Sequence, residues 1–263
     1  MYCKSILLQL AILLVAGFLP GPGVFSQVKK AEEALNLFET ALQRCHLEDY
    51  DTSLTLAEKI RNDYPDEPAG LFAQIVVYQT IMETYRIRRF ESKIDSLVPI
   101  AIKLSSKALK KDNRDGRNYF YLGMAYGSRS ANYARRGKWI DAFRDGTRVK
   151  SNLQKALKYS PGFYDTYYAL GVYNYWITVK ARILSVFMGS RDTGIKQVKL
   201  AVEKGRFLQV HAMYGLSAIY FNEEELAQSA RICDDLIAKF PKNPTSYYRK
   251  GKILQTLGQW ENA

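Results

Sequence analysis

Apolar and small residues along this chain recur at intervals of three and four, the spacing that lines one face of an α-helix. Tyr247, Gly251 and Leu254 follow it, and Gly258, Trp260 and Ala263 restart it after a short break. The break falls at a glycine, so the pattern predicts two helices joined by a tight turn. The same pieces recur upstream. GKWIDA at 137–142 repeats GQWENA at 258–263, YPDEP at 64–68 matches FPKNP at 240–244, and KALKKD at 107–112 returns as KALKYS at 155–160. Pro65, Pro161 and Pro241 each close a helical stretch, because proline cannot extend the hydrogen-bond ladder.

Aligned, these pieces place repeat starts at Ala34, Pro68, Gly116, Tyr164, Val210 and Pro244, in steps of 34, 48, 48, 46 and 34 residues. In the third repeat, Gly123 to Gly137 spans 14 residues where Gly251 to Gly258 spans 7. Likewise Ala142 to Pro161 spans 19 where Ser229 to Pro241 spans 12. Seven residues make about two helical turns, so each helix grows by ~10 Å and keeps the same face inward. The predicted fold is all-α, a right-handed solenoid of antiparallel helix pairs, with elongated helices in the middle repeats 68–111, 116–159 and 164–204. Gly123, Gly171 and Gly251 let paired helices approach closely, while Tyr119, Tyr167, Tyr247, Leu122 and Leu170 fill the space between them. Each pair leaves an apolar face that only the next pair can cover.

An aromatic, a glycine four on, a large apolar residue three on, a glycine turn, an aromatic two later and an alanine three after that: this order resembles the tetratricopeptide repeat superfamily. The resemblance covers residues 28–263, although Ala41, Ile75 and Ser217 stand where glycine is expected. More narrowly, DTYYALGVYNYW at 165–176, a basic apolar segment and GSRDTG at 189–194 resemble extracytoplasmic bacterial repeat proteins of unassigned activity. The resemblance implies a protein-interaction scaffold rather than an enzyme, and a concave groove lined by positions two, five, nine and twelve of each first helix. Position five is then Phe72, Phe120, Tyr168, Tyr214 and Tyr248; position two adds Arg117, Asp165 and His211, and position twelve Tyr175. These nine residues form the expected ligand surface, suited to a peptide, a protein segment or a sugar chain. The same register also allows the rings to pack on one another as core.

Residues 1–26 read as a signal peptide, with Lys4 ahead of an apolar run at Ile6–Leu19, a Pro/Gly break at Pro20–Gly23 and a cleavage site after Ser26. The run falls short of the roughly 20 apolar residues a membrane span needs, and no second such run follows. Export to the periplasm or the secreted space is therefore expected. Residues 27–263 form a single solenoid of about five and a half repeats, and the register expects a longer protein cut within a repeat at Ala263.

Hydrophobic residues make up 47% of the chain, enough for a continuous core. The net charge is +12, or +11 once Lys4 leaves with the signal peptide, which favours anionic partners. Basic clusters at Arg86, Arg88 and Arg89, at Arg135 and Arg136, and at Lys180 and Arg182 line up as one strip. That strip supports an alternative reading, capture of an anionic envelope ligand such as a lipid headgroup or polysaccharide. Export argues against nucleic acid as the partner.

Catalytic signatures such as GxSxG, HExxH or a phosphate-cradling loop are missing, so no catalytic residues are assigned. His46 and His211 are the only histidines, and no CxxC occurs, so neither a metal nor a cofactor is expected. Cys45 and Cys233 fall in distant repeats and read as two buried thiols. Asp112 to Asp115 reads as a helix-connecting turn, and Glu223 to Glu225 as an acidic complement to the following helix N-terminus. The insert Ile177–Arg191 reads either as a membrane- or partner-touching element or as an extended helix. In the second case the chain turns at Gly189 and Ser190, with Asp192 or Thr193 as cap. The exported protein should begin at Gln27, which mass spectrometry of the natively secreted chain will show; retention of Met1–Ser26 would refute export.

Overall fold

A computed structural model describes residues 22–180 and 190–259, with the side chains of 22–28 and 180 excepted. Most of the expected signal peptide, together with Arg182, Trp260 and Ala263, lies outside the described residues. Among those described, eleven helices follow one another with no strand. They are α1 (Pro22–His46), α2 (Tyr50–Asp63), α3 (Ala69–Tyr85), α4 (Glu91–Lys111), α5 (Gly116–Arg135) and α6 (Trp139–Tyr159). Then come α7 (Asp165–Lys180), α8 (Arg191–Lys204), α9 (Gln209–Asn222), α10 (Leu226–Lys239) and α11 (Pro244–Thr256).

Five odd-numbered helices, α3 to α11, begin within one residue of the repeat starts read from the sequence. Ala34 instead lies inside α1, which runs unbroken through Ser26 and Gln27. The middle helices are long, with 17 and 21 residues in α3 and α4 and 20 and 21 in α5 and α6, against 14 each in α9 and α10. The fourth repeat departs from the expectation, because α8 has only 14 residues. Its cap also differs: Ser190, not Asp192 or Thr193, accepts the Thr193 N–H at 3.3 Å.

The turns inside the repeats share one device. Five of them, all but that of the fourth repeat, which falls outside the described residues, hold a residue in the left-handed region, at Glu48 (φ 66°), Arg86 (55°), Gly137 (72°), Glu224 (61°) and Gly258 (72°). Only glycine adopts that conformation without strain, so three of these turns carry a cost that their repeats must offset. Within the fourth repeat the two helices touch backbone to backbone. A Cβ on Gly171 would lie 2.8 Å from the Gly194 carbonyl oxygen, and one on Gly194 2.8 Å from that of Gly171.

The array then closes on itself. Phe38 on α1 is fully buried and stacks on Phe207 of the α8–α9 turn at 5.1 Å, while also meeting Phe72 at 5.5 Å and Tyr121 at 6.5 Å. Phe120 and Phe163 continue the cluster, with centroids 4.9 Å apart. Beside it, Arg206 donates to Glu39 at 2.7 Å, to Glu32 at 3.0 Å and to Asn36 at 2.6 Å, all on α1. The turn that presents Arg206 and Phe207 is held by Asp165, whose carboxylate accepts the N–H of Phe207 at 2.7 Å and of Leu208 at 2.6 Å. A second seam joins α3 and the α1–α2 turn to the start of α11. There Thr245 bonds Thr84 at 3.1 Å, Asn243 donates to Glu48 at 3.1 Å, and the Arg86 guanidinium lies 3.5 Å over the Tyr248 ring.

Phe38→Ala should cost about 3–5 kcal/mol by removing the ring on which the closure stacks. Gly123→Leu should cost about 1–3 kcal/mol, since a Cβ there already meets Leu153 at 3.0 Å. Urea denaturation measures both, and a neutral Phe38→Ala would contradict the closure.

Candidate functional site

Closure divides the nine expected ligand residues into two groups. Phe72 and Phe120 are buried in the ring cluster around Phe38, so they face core where a groove was expected. The physical reason is α1: its apolar face and the α8–α9 turn fill the concave side at that level. Tyr175 is fully buried between α7 and α9, donating to Glu223 at 2.5 Å and accepting from Asn222 at 2.7 Å. Asp165 is buried as the turn anchor already described. Arg117 is half-buried beside Asp115 at 3.5 Å, away from the others. Contact with a ligand is thereby corrected to a packing or anchoring role for Phe72, Phe120, Tyr175 and Asp165.

The remaining four, Tyr168, His211, Tyr214 and Tyr248, come together in one cavity of about 520 Å³. It lies where the first two repeats meet the last two. Ala218, Phe221, Thr245 and Lys252 also line it. These residues occupy positions two, five, nine and twelve of the last two repeats, so the same register points to them once it is carried past position five. His46, Thr80, Glu83, Arg86, Trp176 and Arg249 complete the wall. Sequence reasoning missed these because their presence depends on closure, or, for Arg249, on a position outside the groove series.

The polar groups of the cavity are poorly matched to one another. His46 and His211 meet edge to face at 4.8 Å. Both ring nitrogens of His46 and Nδ1 of His211 have no hydrogen-bond partner in the protein among the described residues. Burial holds the His211 imidazole down at about 4, and burial together with His211 and Lys239 holds His46 well below its usual range. Both rings are therefore neutral at pH 7. Arg249 on α11 is half-buried, its Nε has no partner, and no carboxylate forms an ion pair with it among the described residues. Desolvation lowers its pKa, with Cys233, Tyr214 and Tyr248 opposing. Glu83 reaches water through the cavity, yet the protein around it raises its carboxyl pKa, with Arg135 opposing. Arg86, Arg249 and Lys252 thus face a single acid.

The basic strip resolves differently from the expectation. Arg88 donates to Glu91 at 2.8 Å, Arg136 reaches Glu91 at 3.3 Å and Asp95 at 2.6 Å, and Arg135 lies 3.8 Å from Glu91. Three arginines of the strip thus share two carboxylates across two turns, whereas Arg86 and Arg89 form no ion pair among the described residues and Arg182 lies outside them. Glu223 likewise leaves the helix-end role expected of it and pairs with Arg191. Asp112 and Asp115 cap their turn, accepting the N–H of Arg114 and of Arg117, each at 2.8 Å. Cys45 and Cys233 are buried free thiols, and burial pushes Cys45 up to about 12. Among the described residues no group of three His, Cys, Asp or Glu side chains is placed to hold a metal, and no helix is long and apolar enough to cross a membrane.

The histidine pair fixes a pH dependence. A folded-state pKa below the unfolded value of 6.5 means that the unfolded chain takes up protons first as pH falls. Stability is therefore complete above pH 6.5 and is lost as pH drops towards about 4, with His211 alone withdrawing about 3 kcal/mol at full titration. Urea midpoints measured from pH 7.5 to 4.5 should decline more steeply in the wild type than in His211→Phe; parallel slopes would contradict the assignment.

No family model matches the chain, and neither does any curated protein. Solved structures do. TTC0263, a thermophilic tetratricopeptide protein of Thermus thermophilus, superposes with a TM-score of 0.53 at 17% identity, covering 84% of this chain and 99% of its own. MamA gives a TM-score of 0.45 at 18% identity, covering 66% of this chain and 85% of its own, too distant to argue from. At such identities the likeness speaks for architecture alone: this chain has the tetratricopeptide-repeat fold.

Proposed function

We propose that the protein is an exported binding scaffold that captures a segment of another protein through an acidic side chain or a terminal carboxylate, with the cavity as its recognition pocket. Arg249 carries this reading. A desolvated guanidinium without a counter-ion is costly, and an incoming carboxylate would meet its fork with two parallel hydrogen bonds. Tyr214, Tyr248 and Phe221 offer rigid rings beside it, the kind of surface that anchors a peptide side chain. Tyr214 is preset, since its hydroxyl lies 2.9 Å from Ser246 and 3.1 Å from Asn243. Thr80 Oγ1 lies 3.4 Å from His211 Nε2, but no acid orients that ring, whose Nδ1 has no partner among the described residues, so we read the site as one that binds. The leader read at residues 1–26 supports a periplasmic or secreted location. A small carboxylate or phosphate from the envelope would use the same cations, and competition separates it from a peptide.

An array of short peptides pairing Asp or Glu with an aromatic residue should bind, while the Asn and Gln counterparts should not. Arg249→Gln should weaken capture by about 2–4 kcal/mol, roughly 30- to 1,000-fold, while leaving the urea midpoint unchanged or higher. Equal binding of acidic and amide peptides would refute the reading. Complete displacement by millimolar inorganic phosphate would instead assign the pocket to a small anion.

A further inference from the structure

The first turn of α6 carries the two most exposed large apolar residues described in this chain, with a third beside them. Trp139 is 69% exposed, Ile140 79% and Phe143 44%. They begin α6 at i, i+1 and i+4, so Phe143 adjoins both of the others on one helical face. An exposed Trp–Ile–Phe group is a patch, unlike a scattered surface leucine. Two observations show what it fits. Its tip is open: residues 135–140 are all exposed, and a Cβ on Gly137 would meet no atom within 4 Å. Its setting is cationic: with the adjoining α3–α4 turn, seven basic side chains (Arg88, Arg89, Arg135, Arg136, Lys138, Arg144 and Arg148) face four acidic ones, Glu91, Asp95, Asp141 and Asp145. Asp145 is buried and already pairs with Arg129 at 2.6 Å and Arg148 at 2.9 Å, and Asp141 with Arg144 at 3.1 Å. Lys138, next to the tryptophan, is exposed and has no carboxylate partner among the described residues.

The tip is also held in place. Gly137 sits at φ 72° and the Lys138 N–H bonds the Tyr133 carbonyl at 2.9 Å. Behind it, the Glu91 and Asp95 pairs clamp this turn to the α3–α4 turn, which exposes Ile87 at the same end. A protein partner would need a groove shaped to this tip. A lipid interface needs none, because headgroups part around a small apolar wedge. Tryptophan sits at that interface by preference, and lysine and arginine beside it extend their charged ends to anionic headgroups.

We propose that the α5–α6 tip is a peripheral membrane-docking wedge, in which Trp139, Ile140 and Phe143 enter the headgroup layer of an anionic bilayer and Lys138 contacts its phosphates. The surface lies apart from the cavity, so the scaffold would hold its captured segment while resting on a membrane.

Sedimentation with vesicles of phosphatidylcholine containing about 30% phosphatidylglycerol tests this, since the anionic lipid supplies the charge that the cations require. The protein should bind these vesicles at low salt and at least about tenfold less to pure phosphatidylcholine, with binding falling as salt rises. Trp139→Ser with Ile140→Ser should lower binding at least about tenfold, as should Lys138→Glu, with helical content and urea midpoint unchanged because all three side chains are exposed. Brominated lipid should quench tryptophan fluorescence in the wild type and lose most of that effect in Trp139→Phe. Undiminished binding by the double serine variant would overturn the proposal. So would a wild-type dimer in sedimentation equilibrium that the same variant dissociates, since the patch would then belong to a second copy of this chain.

Discussion

The contact between Phe38 and Phe207 turns a row of helix pairs into a closed body. Each is ordinary by itself, one a phenylalanine on the inner face of α1 and the other a turn residue before α9. Their stacking at 5.1 Å brings the first repeat against the fifth, and Arg206 bonds three α1 side chains to hold it there. Asp165 is the precondition. By accepting the backbone N–H groups of Phe207 and Leu208 it fixes the turn in the one shape that aims both neighbours at α1. Everything on the concave side follows from whether a given level lies under that lid or beyond it.

Under the lid, aromatic residues at groove positions become core, which is the fate of Phe72 and Phe120. Beyond it, the concave surface survives as a cavity whose walls come from opposite ends of the chain. That origin explains its electrostatics. Within one repeat, charges sit near partners on the adjoining helix, as Arg129 does with Asp145. Arg249, His46 and His211 instead line a gap that the local sequence does not control: Arg249 finds no carboxylate, and neither His46 nor Nδ1 of His211 finds a hydrogen-bond partner, among the described residues. A pocket assembled by closure thus inherits unpaired groups that local helix pairing would have matched.

Five of the six repeat starts were legible to within a residue, because glycine and proline positions and the three-and-four spacing are local signals; the first, Ala34, falls inside α1. Gly137 and Gly258 announced their turns for the same reason. Glu48, Arg86 and Glu224 did not, since a charged residue forced into the left-handed region carries no mark in the sequence; only the length of the repeat implies it. The concave register was legible in the fifth repeat, where positions two, five, nine and twelve line the cavity, and in the sixth at positions two, five and nine. It misled at position five of the second and third repeats, because nothing local tells Phe72 or Phe120 that a distant phenylalanine will cover it; in the fourth repeat Tyr168 reaches the cavity while Asp165 and Tyr175 are buried. Asp165 shows the same limit: a carboxylate at a groove position reads as a ligand contact until the turn it anchors, forty residues on, is seen. Arg135 and Arg136 read as a basic strip because Glu91 and Asp95, which neutralise them, belong to the preceding repeat.

A linear repeat array has each unit touching only its neighbours, so it nucleates anywhere and frays from its ends. Clasping the ends removes that freedom. The bonds from Arg206 to Glu39 and from Asn243 to Glu48 span 167 and 195 residues. Loops of that length must close before their contacts return anything, which raises the contact order of an otherwise local fold. On the ribosome, the first repeat therefore waits with its inner phenylalanine uncovered until the chain has passed Phe207. Were the chain exported, as proposed from its leader, that delay would have a use: with its first helix unable to finish packing, it would stay loose enough to be threaded through a translocation channel and set only once most of its length had crossed.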